Sequence, residues 1–258
     1  MPGADAPGYE IAVPSYQRAR TLRVKTLAVL RRYRVPASII TIFVADDDEA
    51  AAYAQELPPK SYGRIVVAAP GICAVHNFIT GYYPVGARYV SMDDDIVGFS
   101  CYDADAPRRL KPLRSLTRLI HKGFVECERC EARLWGLYPV LNGFYMYQRT
   151  TADLRFIVGT FWGCINAGPR VVRLPRTFAG KEDYLRTLLY FHADGAVARL
   201  SWVAAVTVTG RGAGGLQQPG RPQREARAAR RLVAAFPNFV TLAGERKGVA
   251  QVKLRRHR

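Results

Sequence analysis

An α/β fold built on a mainly parallel sheet is what this sequence predicts, and three observations predict it. Short apolar, β-branched runs alternate with amphipathic stretches of helical period from residue 9 to residue 92. Polar clusters follow these runs at the carboxyl ends of the expected strands, where sheets of this type hold their ligands. The chain has 258 residues, 49% of them hydrophobic, which is ample for one sizeable core. Strands alternating with helices imply right-handed crossovers and therefore parallel pairing.

The elements follow in order. YEIAVP (9–14) reads as a buried strand ended by Pro14, and the next run sets Leu22, Thr26, Val29, Leu30 and Tyr33 on one helical face before Pro36. IITIFVA (39–45) is a second strand. DDDEAAAYAQEL (46–57) is a helix whose acidic first turn complements the helix dipole, ended by Pro58 and Pro59. RIVVAAP (64–70), ICAVHNFITGYY (72–83) and ARYVSM (87–92) continue as strand, helix and strand. Beyond residue 95 the pattern becomes a mixed extension. It holds a helix near 113–126, aromatic segments at 135–147 and 156–166, a helix KEDYLRTLLYFHADG (181–195) stopped by Gly195, and one strand over 198–208. A Gly-rich loop (210–220), a basic helix (222–236) and a frayed end KLRRHR (253–258) close the chain. The expected division is one domain over 1–218 and a basic appendage over 219–258.

The formal net charge is +17. Of this, +10 falls between Arg211 and Arg258, and a second cluster from Arg18 to Arg34 has seven basic residues and no acidic one. An enzyme acting on small neutral substrates has no need of such a charge, whereas a polyanion-binding protein does, so a nucleic acid is the expected partner, a solvated helix face being the alternative for either cluster alone. Five scattered cysteines read as a reducing compartment, and no run approaches the roughly 18 apolar residues of a membrane span, so a cytoplasmic location without membrane contact is expected. Cys127 and Cys130, with His121 upstream, form a lone C-x-x-C without a second pair.

The most informative stretch is ARYVSMDDDIVGF (87–99), an apolar strand that runs into three aspartates. Alternation along an extended backbone lets Asp93 and Asp95 converge on one cation while Asp94 faces away or caps the turn. Oxygen-only ligation suits Mg²⁺ or Mn²⁺, which keep waters and also bind substrate phosphates. A metal-bound diphosphate at a strand end is the resulting expectation; an acidic turn that merely caps the next element is the alternative.

PSYQRA after the first strand, FVADDDE after the second, GICAVHN before the fourth, MDDD after it and KED opening a later helix together resemble a GT-A type glycosyltransferase. More narrowly, they resemble the TET-associated glycosyltransferases of bacteriophage DNA hypermodification. The resemblance spans most of residues 9–218, including GGLQ (214–217). It implies that Pro14, Ser15, Tyr16 and Arg18 hold the nucleotide of a UDP-sugar, with Asp46 facing the base, Asn77 the ribose or sugar, and Asp94 nearby. Asp46 serves equally well as a helix cap. Asp93 and Asp95 match the DxD metal motif, although Asp94 with a neighbour is also admitted. Glu182 and Asp183 match the xED motif of inverting enzymes, Asp183 being the base that deprotonates the acceptor hydroxyl. His192 is a further candidate metal ligand or, alternatively, a core histidine. Trp135, Tyr138, Phe161 and Trp162 could stack an acceptor base or belong to the core, and Gly214 and Gly215 lie in the loop that could close over the diphosphate.

The function these residues imply is metal-dependent transfer of a sugar from a UDP-sugar to a 5-hydroxymethylpyrimidine in DNA, 5-hydroxymethylcytosine being favoured. A surface glycan or lipid acceptor is the rival enzyme reading, and a non-catalytic nucleic-acid-binding protein on a degenerate scaffold is the rival from another class.

Overall fold

The computed structural model describes residues 8–207, 220–246 and 249–255. Thirteen strands and seven α-helices are found among them, in the chain order β1 Glu10–Pro14, α1 Ala19–Val24, α2 Thr26–Arg32, β2 Ile40–Val44, α3 Asp47–Glu56, β3 Arg64–Val67, α4 Ile72–Tyr82, β4 Arg88–Met92, β5 Ile96–Tyr102, β6 Leu110–Pro112, α5 Leu116–Arg129, β7 Leu134–Leu137, β8 Thr150–Thr151, β9 Phe161–Ile165, α6 Glu182–Asp194, β10 Ala198–Leu200, β11 Val203–Thr207, α7 Arg221–Ala235, β12 Val240–Arg246 and β13 Val249–Leu254. An eight-stranded sheet has the order β3-β2-β1-β4-β9-β7-β10-β8. Its β1–β4 half is parallel, β9 runs antiparallel to both β4 and β7, and β10 is again parallel to β7. The carboxyl ends of β4 and β7 therefore share one edge, two strand spacings or about 10 Å apart.

Strand alternation divides the core between the two faces of the sheet. Ile11, Val13, Ile40, Ile42, Val44, Val90 and Met92 pack against Leu22, Leu27 and Leu30 of α1 and α2, Tyr53 of α3, and Leu116, Leu119 and Phe124 of α5. On the other face Ala12, Phe43, Tyr89 and Trp162 meet Cys73, Val75 and Ile79 of α4, Leu185 and Leu188 of α6, and Leu232 of α7. The C-terminal segment thus shares a core with α6: Ala229, Leu232, Val240 and Val252 belong to the same cluster.

Three local expectations are corrected. The first helix is two, broken at Lys25, because Thr26 is turned to grip the aspartate turn that follows β4. The strand expected over 198–208 splits at Ser201–Trp202: β10 lies in the large sheet, and β11 pairs with β5 in a separate three-stranded sheet. Lys253 and Leu254, expected to fray, belong to β13, where Leu254 pairs with Val240 and Lys253 with Thr241 of β12.

Candidate active site

The aspartate turn between β4 and β5 is held from three sides. The Thr26 hydroxyl donates to the Asp93 carbonyl at 2.7 Å and accepts from the Ile96 amide at 3.0 Å. On the other side the Asp93 amide donates to the Thr160 carbonyl at 2.9 Å, tying the turn to the start of β9. Asp94 is buried, and its carboxylate accepts from the Ser15 hydroxyl at 2.6 Å and from Arg18 at 3.3 Å. The same Arg18 guanidinium lies 3.6 Å from Asp95. Tyr53 completes the group, within 2.7 Å of the Ser15 oxygen and accepting from the Arg18 amide at 3.0 Å. Ser15 and Arg18 thereby occupy the place at the end of β1 that their sequence motif predicts.

Asp94 does not face away, because its bonds to Ser15 and Arg18 draw it into the site. Asp93 and Asp95 flank it. Burial pushes the Asp93 carboxyl up to about 7, with Asp94, Asp95 and Glu182 adding repulsion and Arg186 opposing it. Electrostatics therefore join the aspartate turn to the acidic pair that opens α6.

That pair is positioned by the helix start. Glu182 accepts from the Gly180 amide at 2.6 Å and Asp183 from the Tyr184 amide at 2.8 Å. Burial raises both carboxyls; Asp183 adds to the rise at Glu182, and Arg186 works against it at Asp183. Gly159 sits against Asp183, and its neighbour Thr160 carries the carbonyl bonded to Asp93. Residues 159–160 thus bring the two acidic groups to one place.

Arg186 was not singled out from sequence. It follows Glu182 by four residues and Asp183 by three, so it shares their helix face. Only 1% of its surface is exposed, its guanidinium carbon lies 4.0 Å from the Trp162 ring centre, and none of its three nitrogens has a hydrogen-bond partner among the described residues. His76 is beside it, with an unpartnered Nδ1 and a pKa lowered to about 3 by burial and then by Arg186. An arginine placed at i+3 and i+4 from two acids in an otherwise apolar helix was the signal available.

The remaining candidates divide. Pro14 ends β1, and Tyr16 follows with its hydroxyl accepting from the Gln17 side chain at 3.2 Å. Asp46 caps α3, accepting from the Glu49 amide at 2.9 Å. Asn77 bridges to Leu174, donating to its carbonyl and accepting from its amide, so its side chain pins a loop. Three placements are corrections. His192 is exposed in the last turn of α6, nine residues or about 13 Å along the helix from Asp183, and is neither a core histidine nor near the aspartates. Trp135 and Trp162 are 0% and 2% exposed and pack in the core, as does Phe161, so none can stack an acceptor base. Tyr138 is half-buried with the Arg199 guanidinium 5.0 Å from its ring centre. Gly214 and Gly215 lie outside the described residues. Cys127 is buried and Cys130 half-buried, and no group of three or more His, Cys, Asp or Glu side chains suited to a metal gathers among the described residues.

Residues 1–349 of S. aureus TarS, a GT-A-like glycosyltransferase, match this structure with a TM-score of 0.52 at 14% sequence identity. The fold is that of a GT-A-like glycosyltransferase. The match covers 89% of this chain, which spans 65% of the TarS chain. No family model and no curated protein matches the sequence. Within the GT-A frame the aspartate turn follows the fourth parallel strand, and the Glu182–Asp183 pair opens the helix after the antiparallel β9. No helix among the described residues is long and apolar enough to cross a membrane.

Proposed function

We propose that this chain is a glycosyltransferase that moves a sugar from a UDP-sugar to the hydroxyl of a 5-hydroxymethylpyrimidine in DNA, with inversion at the anomeric carbon. The observation that carries this reading is the meeting of two acidic groups across Gly159 and Thr160, one suited to a diphosphate-bound cation and one suited to proton removal.

The donor set fits Mg²⁺ or Mn²⁺. Asp94 is occupied by Ser15 and Arg18, while Asp93 and Asp95 flank it, Asp95 with the Arg18 guanidinium 3.6 Å away. Two carboxylates with the remaining positions left to water and phosphate is the pattern these hard cations favour, and the ion would supply neutralisation of the departing diphosphate. Ser15 and Tyr53 fix Asp94, and Asp94 in turn holds Arg18, a guanidinium placed to meet the diphosphate. Asp183 takes the proton of the acceptor hydroxyl as that oxygen attacks in line. Arg186 keeps charge beside Asp183 in a site where burial favours the neutral acid.

The acceptor reading rests on charge. The net +17 and the exposed Arg221, Arg227, Arg230 and Arg231 of α7 suit phosphate contacts that carry no sequence information. Binding should then weaken with salt at a slope of about −0.9 per neutralised phosphate.

The test is mass spectrometry of nucleosides digested from hydroxymethylcytosine-containing DNA after incubation with the protein, Mn²⁺ or Mg²⁺ and a panel of UDP-sugars. A gain of one sugar mass that disappears in Asp93→Ala and Asp183→Ala is the expected result. Donor hydrolysis without a DNA product would keep the transferase and remove the DNA acceptor.

A further inference from the structure

With Trp135 and Trp162 in the core, the most exposed aromatics among the described residues lie elsewhere. The loop leaving β7 carries them: Val140, Leu141, Phe144, Tyr145 and Tyr147 are all exposed, Phe144 by 61% and Tyr145 by 57%. From this, the geometry points to the 138–149 loop as the place where this chain stacks an unpaired base of its DNA acceptor, on the Phe144 and Tyr145 rings. The inference rests on the DNA reading and adds to it a location and a state of the base.

Position supports it. The loop begins at the carboxyl end of β7, on the same sheet edge as the aspartate turn and about 10 Å from it, within the reach of one nucleotide. The loop is also pre-formed. Phe144 donates its amide to the Asn142 side chain at 2.9 Å, Tyr145 and Met146 donate theirs to the Asn142 carbonyl, and Met146 is buried beneath. A Cβ on Gly143 would overlap the Arg108 carbonyl, so the loop is locked against residues 103–109. The two rings meet edge to face with centres 5.0 Å apart, and the Arg108 guanidinium stands 4.9 Å from the Phe144 centre.

Chemistry selects the occupant. No acidic residue occurs between Glu131 and Asp153, Arg108 stands over Phe144, and Arg109 and Arg149 are exposed next to it and to the loop in sequence. Aromatic faces bordered by guanidinium groups fit a base attached to phosphate, and an unstacked base presents the free face such rings require.

The experiment measures anisotropy of a labelled single-stranded oligonucleotide and of a duplex with one hydroxymethylcytosine opposite a mismatch. The wild-type chain is compared with F144A/Y145A and with F144Y/Y145F, and melting temperature serves as the folding control. The expected result is a loss of about 10- to 100-fold in affinity for F144A/Y145A at unchanged melting temperature, with F144Y/Y145F within about threefold of wild type. Equal affinity of F144A/Y145A and wild type overturns the loop assignment and leaves the DNA acceptor standing. Equal affinity together with lost self-association in sedimentation assigns the patch to a second copy instead. No DNA binding by the wild-type chain, with donor still hydrolysed, overturns the acceptor reading along with it.

Discussion

The two sides of the candidate site are built on opposite principles. At the ends of β1 and β4 a network of matched groups stands: Ser15, Tyr53, Arg18 and Asp94 form a hydrogen-bonded set, and Thr26 and Thr160 clamp the backbone of the turn. One turn into α6 several buried polar groups are left unmatched: the three nitrogens of Arg186, Nδ1 of His76 and Nε1 of Trp162 have no partner among the described residues. An unmatched buried donor costs about 1–3 kcal/mol, and a charged one more, so a chain keeps it only where something other than stability is served. The difference teaches that one side is a hydrogen-bonded seat and the other a buried charge without hydrogen-bond partners among the described residues.

The largest effect is expected at Asp183, the proposed base. Asp183→Asn should lower the turnover number by about 10²–10⁴-fold with an unchanged melting temperature, as read by product formation and thermal unfolding. Activity close to wild type would move the base elsewhere. Arg186→Met should lower turnover by about 10²-fold, within the range of a preorganised electrostatic contact, while stability changes by no more than about 1–2 kcal/mol. The acid limb of its pH–rate profile should shift toward higher pH, since the countercharge that opposes the rise at Asp183 is gone. Severe destabilisation with normal turnover would make Arg186 a core residue only.

On the matched side, Ser15→Ala should cost about 1–2 kcal/mol of unfolding free energy and weaken the donor, because Asp94 loses its shortest bond and Arg18 its fixed partner. A normal donor KM would break the assignment of this side to the nucleotide. Asp93 sharpens the contrast through pH. Its carboxyl is raised from 3.8 to about 7, so between these values the folded chain holds a proton that the unfolded chain has released. Stability should therefore fall as pH rises from about 4 to about 7, and Asp93→Asn should flatten that slope in thermal melts. An unchanged slope would remove Asp93 as its source. The smallest effect belongs to His192→Ala, which should leave activity and melting temperature almost untouched because the side chain is exposed far along α6.

The same contrast explains what could be read from the sequence. The strands and the aspartate turn were legible because period and composition are local: Ile11, Val13, Ile42 and Val44 alternate, and Asp93 to Asp95 interrupt an apolar run. The Glu182–Asp183 pair was legible as a helix start. What escaped depends on tertiary contacts. The break at Lys25 follows from the grip of Thr26 on a turn 67 residues away. The split of the strand at Ser201 follows from a partner, β5, that leaves the large sheet at the aspartate turn. The tryptophans looked available because flanking glycines hid their depth: at both Gly123 and Gly163 a Cβ would strike the Trp135 ring, so that ring is encased by the absence of side chains. Arg186 looked like an ordinary charge on a helix until burial was known.

Lys181, next to the acidic pair, is buried against Glu225 of α7 at 3.1 Å, and a Cβ on Gly180 would collide with that same glutamate. The basic segment is therefore no detachable cassette. Anyone exchanging the C-terminal helix for another would have to carry Glu225 across and keep Gly180. Otherwise the graft would loosen the peptide that aims Glu182 and Asp183, and a change meant to alter recognition would register as lost chemistry.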